Sequence, residues 1–344
     1  MIFIKILPLG TPLVETYNYE AYPLAISSAH GNGYLPWLYN NYIQLNCHDD
    51  IVKDKELFLA FYDDQAINSP FIKKQFLLHS SFSMLRIDFF DFIRSYIDQE
   101  YYLYFQVDEY YVPNRYFYKK EHFVHDLLIY GYTDDSLLIY GYGSNNKLEK
   151  TSIFYDDFKN AFDANTLNKD ENYWADKIHL LKYNNSGEYT FNLQLVKLLC
   201  EDYLKSENHF ETYSRYRNKL TDTVYGLDVY KKIDEYLYHV KRHDNIFSDE
   251  YVDNRVFRII KEHKDIMLSR LKYLSQEIEL DNEIREYKQI AKLANNNHIL
   301  AIMYNNNNKT EIIDTLIYNN KSIVLQEPEI LQKFLNKIGK VTGE

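Results

Sequence analysis

Two histidines stand just ahead of a doubled string. In "EHFVHDLLIYGYTDDSLLIYGYGSNN" the residues LLIYGY occur at 127–132 and again at 137–142, and His122 and His125 precede the first copy only. Histidine is the side chain whose ordinary pKa lies nearest neutrality, so a positioned histidine is the first candidate for moving a proton. On a strand, His122 and His125 point to opposite faces, so at most one of them shares a site with residues of the second copy. Cys47, followed by His48, is the other candidate: a nucleophile if the fold brings it to His125, or else a small buried hydrophobe near a helix end.

The elements that must position these groups are short. "TDDS" between the copies is turn chemistry, because Asp and Ser side chains bond the backbone locally, so the two copies fold into a hairpin with Tyr132 facing Leu137. A constant register then sets Leu128 opposite Gly141 and His125 opposite Ser144, with Asn145 diagonal to it. Equivalent burial of two neighbouring strands explains the repetition itself.

Strand-like runs at 3–7, 57–63 and 101–107 alternate with helical stretches near 20–29, 34–46 and 81–97, an α+β pattern. The second half is helical: Leu227, Tyr230, Ile233, Leu237 and Val240 share one face, as do Ile260, Met267, Leu271 and Leu274. His263 falls on that apolar face as a core histidine. A helix is expected over about 281–305, and a last one starts at Glu327–Pro328, where proline suits a first turn. The polar stretch "DANTLNKDEN" marks the boundary, giving domains of 1–165 and 166–344.

The chain has 39 basic and 50 acidic residues, a net charge of −11, and no long basic cluster, which argues against nucleic acid and anionic membranes as partners. Its two cysteines supply neither a disulfide framework nor a zinc spacing, and no metal or cofactor is expected. "GSNNK" (143–147) lacks the phosphate-loop pattern. No apolar window is long enough to span a membrane and the N-terminus lacks a signal-peptide pattern, so the expected compartment is the cytoplasm.

"EHFVHDLLIYGYTDD", followed by a second strand and "FYDDFKNAF", resembles the histidine-bearing half of papain-like cysteine peptidases, especially those fused to bacteriocin exporters. The stretches "NYEAYPLAI", "LPWLYNNYIQLNC", "VDEYYVPNRYF", "HFVHDLLIYGY", "VYGLDVYKKIDEYL" and "FRIIKEHKDIMLSRLKYL" together resemble the butirosin biosynthesis protein H family, papain-like proteins of nonribosomal peptide and related clusters. The resemblance implies a papain-like N-terminal domain with an antiparallel sheet, followed by a mainly helical domain. It also implies acyl transfer from a phosphopantetheine thioester on an acyl or peptidyl carrier protein to an amine acceptor.

On that resemblance His125 takes the base position, six residues before Gly131. The family's cysteine in the first helix is missing: this chain reads Asn18-Tyr19-Glu20-Ala21-Tyr22 there, which leaves Tyr19 and Glu20 as substrate-facing residues and Cys47 as the substitute nucleophile. The orienting Asp is also missing, since Gly141-Tyr142 stands in its place, leaving Asn145 or Ser144 to orient the imidazole and Tyr142 to line the site. Two functions follow: an amide-forming acyltransferase with an unorthodox nucleophile or direct amine attack, or a papain-like scaffold that lost its cysteine and binds a pathway component.

Overall fold

The structure is a computed structural model that describes residues 4–62, 66–78, 84, 88–165, 176–213, 222–244, 246–247 and 251–342. In chain order its elements begin with β1 (Lys5–Ile6), α1 (Asn18–Ser28), α2 (Leu35–Asn41), β2 (Leu45–His48), α3 (Ile51–Asp54), β3 (Leu59–Phe61) and β4 (Ile72–Leu78). They continue with α4 (Phe89–Asp98), β5 (Tyr102–Asp108), β6 (Val124–Tyr132), β7 (Ser136–Tyr142), β8 (Leu148–Phe154), α5 (Tyr155–Asp163) and β9 (Lys177–Tyr183). The remainder is α6 (Leu193–Lys205), α7 (His209–Tyr213), β10 (Thr223–Tyr225), α8 (Val229–Lys241), α9 (Asn254–Leu274), α10 (Asp281–Asn307) and α11 (Thr310–Thr342).

The chain divides into two compact units, residues 1–34 with 66–189, and residues 35–65 with 190–344. This differs from a division at 165/166 in two places. Strand β9 pairs antiparallel with both β4 and β5, so it is an inner strand of the first unit's sheet. The run at 57–63 supplies β3, which joins β2 and β10 in a small antiparallel sheet of the second unit.

The first unit is built on an antiparallel sheet in the order β4-β9-β5-β6-β7-β8, with β1 pairing the end of β6. Every residue of β5 is buried, so both sheet faces are covered. On one face Phe105 meets Phe89 of α4 and Phe158 and Phe162 of α5, with ring centroids 5.4–6.3 Å apart. On the other face Tyr22 of α1 sets its ring edge-on to Tyr104, 5.1 Å away.

The doubled string is the β6–β7 hairpin. Its turn is closed as the TDDS chemistry requires: Thr133 N donates to Ser136 O at 2.8 Å, and the Thr133 and Ser136 hydroxyls both donate to Asp135. Those two bonds hold the Asp135 carboxyl below its ordinary value. The register is not constant, however. Tyr132 faces Leu137 and Gly131 faces Leu138, but a bulge at Tyr130 brings Ile129 opposite Ile139 and Leu128 opposite Tyr140, where the ladder ends. The cause is β1: Leu7 N donates to Tyr130 O at 2.8 Å and Ile6 pairs with Gly131, so this stretch of β6 serves a third strand.

A Cβ at Gly131 would stand 2.4 Å from the backbone oxygen of Lys5, a contact that only a backbone shift relieves. Gly131→Ala is therefore expected to lower the unfolding free energy by about 1–3 kcal/mol, the usual cost of overpacking. A urea midpoint unchanged from wild type would contradict this close approach.

In the second unit the helical faces are largely as the periodicity predicts: Tyr230, Ile233, Leu237 and Val240 are buried, and so are Ile260, Met267, Leu271 and Leu274, whereas Leu227 lies in a short 3-10 turn ahead of α8 and is only half-buried. Helix α10 covers the 281–305 prediction. The last helix starts earlier, at Thr310, and runs through Pro328 rather than beginning there. Buried Ile313, Leu316, Ile317, Ile323, Ile330, Leu331 and Phe334 form a stripe on both sides of the proline, and that burial outweighs the roughly 3 kcal/mol an interior proline costs. Among the described residues no helix is long and apolar enough to cross a membrane.

Candidate active site

The site is assembled where β5 ends and β6 begins. Because these strands are antiparallel neighbours, the last residues of one lie beside the first residues of the other: Val107 stands opposite His125 and Gln106 opposite Asp126. The chain between them is clasped at its base by Asp108, whose Oδ1 accepts the N–H groups of Tyr110 at 3.0 Å and Phe123 at 3.1 Å. Its Oδ2 meets His122 Nδ1 at 2.6 Å, and the His122 ring stacks on Tyr110.

One step further on, the buried Glu109 carboxylate meets His125, with 3.0 Å between Oε1 and Nδ1. A carboxylate only accepts, so Nδ1 carries the proton and Nε2 is left as the basic nitrogen. Nε2 makes no hydrogen bond among the described residues, and the side chain is about one-third exposed (36%). Burial pushes the His125 pKa down, but the hydrogen bond to Glu109 and the charges of Asp126 and Glu109 outweigh it. The net shift is upward from the ordinary 6.5, with Arg115 opposing.

Beyond Leu128 and Tyr140 the pairing of β6 with β7 stops, and two side chains take up backbone groups of the separated strands. The Tyr22 hydroxyl donates to Asp126 O at 3.3 Å, and the buried Arg115 guanidinium donates to Tyr142 O. Burial drives the Tyr22 phenol well above its ordinary value, so it acts as a donor, not a nucleophile, near neutral pH. Gly141 makes this possible: a Cβ there would lie 2.5 Å from Arg115 Nη2 and 2.8 Å from the Tyr22 hydroxyl.

The structure redistributes the residues singled out by sequence. Asn145 does not orient His125; it is exposed and its Oδ1 accepts Lys147 N at 2.9 Å in a local turn, while Ser144 N donates to Asn114 O. Tyr142 turns its hydroxyl to the backbone oxygen of Glu15. Glu20 is buried and accepts the N–H of Ala66 at 3.2 Å, and the Tyr19 ring stacks on Tyr17 at 5.4 Å. None of these makes a hydrogen bond to His125.

Cys47 lies on a strand, not at a helix end. LNCH alternates inward and outward, and Cys47 pairs with Leu59 and Val224 inside the second unit's small sheet. It is buried, and that burial, with Asp49 and Glu235 adding to it against Lys232, pushes the thiol up to about 12. A thiolate is scarce there at neutral pH. Native protein is accordingly expected to leave Cys47 unmodified by an aromatic disulfide reagent until denaturant is added; rapid modification of Cys47 in the native state would restore it as a nucleophile.

Glu109, Arg115 and Tyr22 were not singled out by sequence. A signal for Glu109 was present, since "VDE" closes one strand and "HFVH" opens the next, and an antiparallel pair brings those ends together. His263, by contrast, is the expected core histidine: fully buried, with Nε2 bonded to Ile43 O at 2.7 Å and a pKa lowered well below 6.5 by burial. Among the described residues no three His, Cys, Asp or Glu side chains converge into a metal-holding group. No family model matches the chain, and no curated protein matches it significantly in sequence.

Proposed function

We propose that the protein is an acyltransferase in which His125, oriented by Glu109, deprotonates an amine as it attacks an acyl thioester held on an acyl or peptidyl carrier protein, in a secondary-metabolite pathway of the nonribosomal peptide type. The observation that carries this is the 3.0 Å His125–Glu109 bond on a histidine whose opposite ring nitrogen makes no hydrogen bond among the described residues and whose side chain is about one-third exposed (36%). An antiparallel sheet carrying that histidine, with α1 packed against it through Tyr22, and a helical C-terminal region accord with the family resemblance.

With no thiol at the start of α1 and Cys47 held as a buried thiol, the chemistry is direct amine attack. The amine nitrogen forms a bond to the thioester carbon, its proton passes to His125 Nε2, the carbon–sulfur bond breaks, and the imidazolium returns the proton to the leaving thiolate. No acyl-enzyme forms. Tyr19, at the start of α1, remains the residue of the sequence-based set most suited to a substrate surface, whereas Glu20 and Tyr142 are engaged with backbone.

The test is incubation with an acyl-carrier thioester and an amine pool, followed by intact-mass analysis. Amide product without acylated protein is expected for wild type, and strongly reduced product for His125→Ala. The missing cysteine favours a second reading, a binding protein for the loaded carrier. Absence of product from wild type and His125→Ala alike, together with retention of the carrier in a pull-down, would select it.

A further inference from the structure

Arg115 is buried to 5% exposure, yet one hydrogen bond, to Tyr142 O, is all it makes among the described residues. A guanidinium carries five donors, and no Arg115 nitrogen is among the fully buried polar atoms left without a partner, so the N–H groups not given to Tyr142 keep a narrow opening to solvent. Among the described residues no carboxylate forms an ion pair with it. Asp108 is engaged by His122 and Glu109 by His125. Arg270 in the second unit shows how this fold otherwise treats a buried guanidinium: its three nitrogens donate to Tyr39 O, Tyr42 O and Met267 S.

The position of Arg115 relative to the base follows from where the β6–β7 ladder ends. Leu128 and Tyr140 are paired and share a face, so Gly141 shares the opposite face with Leu127 and, two residues back, with His125. The guanidinium and the Tyr22 hydroxyl share the space that Gly141 leaves, so Arg115 lies at the opening between the separated ends of β6, which begins with His125, and β7. Its charge acts on both His125 and Tyr22.

We propose that Arg115 is an anion-recognition residue whose uncommitted N–H groups bind a carboxylate or phosphate group of the ligand beside His125. The planar fork suits two oxygens of one oxyanion, and no carboxylate among the described residues occupies it. The ligand class is thus an anionic compound, not a neutral one. The charged and titratable groups that act with Arg115 on His125 and Tyr22 are Glu109, Asp126 and the phenol of Tyr140. An anion here and a proton on His125 favour each other, and linkage makes that effect reciprocal.

This inference holds whether or not the protein transfers acyl groups, and its test uses no substrate. Histidine-selective NMR of the full chain would follow the His125 titration, assigned with His125→Gln, in chloride and in sulfate or acetate at equal ionic strength. Sulfate stands for a phosphate group and acetate for a carboxylate, so the two arms separate the sources. In wild type one of them is expected to raise the His125 midpoint by about 0.7 unit or more, the lower end of ordinary coupling. Arg115→Gln is expected to abolish the shift. Gly141→Ala, whose nearest contacts are the ends of the Arg115 and Tyr22 side chains and not backbone, is expected to reduce it while the protein stays folded, so loss of fold in the arginine variant leaves the test intact. No shift with either anion in wild type, or equal shifts in wild type and Gly141→Ala, would overturn the assignment.

Discussion

Replacing Lys264 by methionine is expected to destabilise the protein by about 3–5 kcal/mol, the usual consequence of leaving one member of a buried ion pair without its partner. Lys264 and Glu327 both have fully buried side chains, with Nζ 2.8 Å from each carboxylate oxygen. The ammonium gives a further bond to Tyr203 OH at 2.7 Å, and the carboxylate accepts Tyr203 OH at 2.9 Å and the Tyr287 hydroxyl. Burial pulls the lysine pKa down, with Glu327 opposing it. Removing the lysine strands a carboxylate in the core of the helical unit. The double variant Lys264→Met with Glu327→Leu is expected to recover a large part of the loss, short of wild type because two phenols lose their acceptor at about 1–3 kcal/mol each. Urea unfolding of the four species measures this; a Lys264→Met variant within about 1 kcal/mol of wild type would refute the assignment.

The second large effect concerns His125. If it is the base, His125→Ala is expected to lower kcat/KM for amide formation by about 10²–10⁴-fold, the range a positioned general base contributes. The neutral ring is the active form, so kcat/KM is expected to rise with pH through a midpoint above 6.5, because Glu109 and Asp126 outweigh burial. Glu109→Gln removes the largest upward influence and is expected to move that midpoint down, with a smaller loss of rate than His125→Ala. The same shift has a stability counterpart. A raised folded pKa contributes in full below the unfolded value near 6.5 and is lost as pH rises through the folded value, so Glu109→Gln is expected to weaken the fold more at pH 6 than at pH 9. A Glu109→Gln profile superimposable on wild type would show that the carboxylate does not act through His125.

Several features are legible in the residues because they depend on near neighbours. The TDDS turn, the buried helical faces of the second half and the core placement of His263 follow from turn chemistry and a period of 3.6 residues. His125 also stands out by type and place. Its partner does not, because Glu109 is adjacent only through antiparallel pairing of β5 with β6. Gly141 reads in the sequence as a place where an acid is missing, and in the fold it is the space that admits Arg115 and Tyr22.

The two copies of LLIYGY show the division most directly. Their shared pattern answers to local demands common to both: inward aliphatic residues on neighbouring strands and a turn between them. Their glycines serve different long-range approaches, Gly131 to the backbone of Lys5 and Gly141 to the side chains of Arg115 and Tyr22. Similarly, Pro328 signals a helix start by its own chemistry, but the apolar stripe on both sides carries α11 through it. Cys47 follows a helix-like stretch, but pairing with β3 and β10 makes it a strand residue. In each case the local preference is worth at most about 3 kcal/mol, while burial summed over an element is worth several times that, so packing between distant segments decides the outcome.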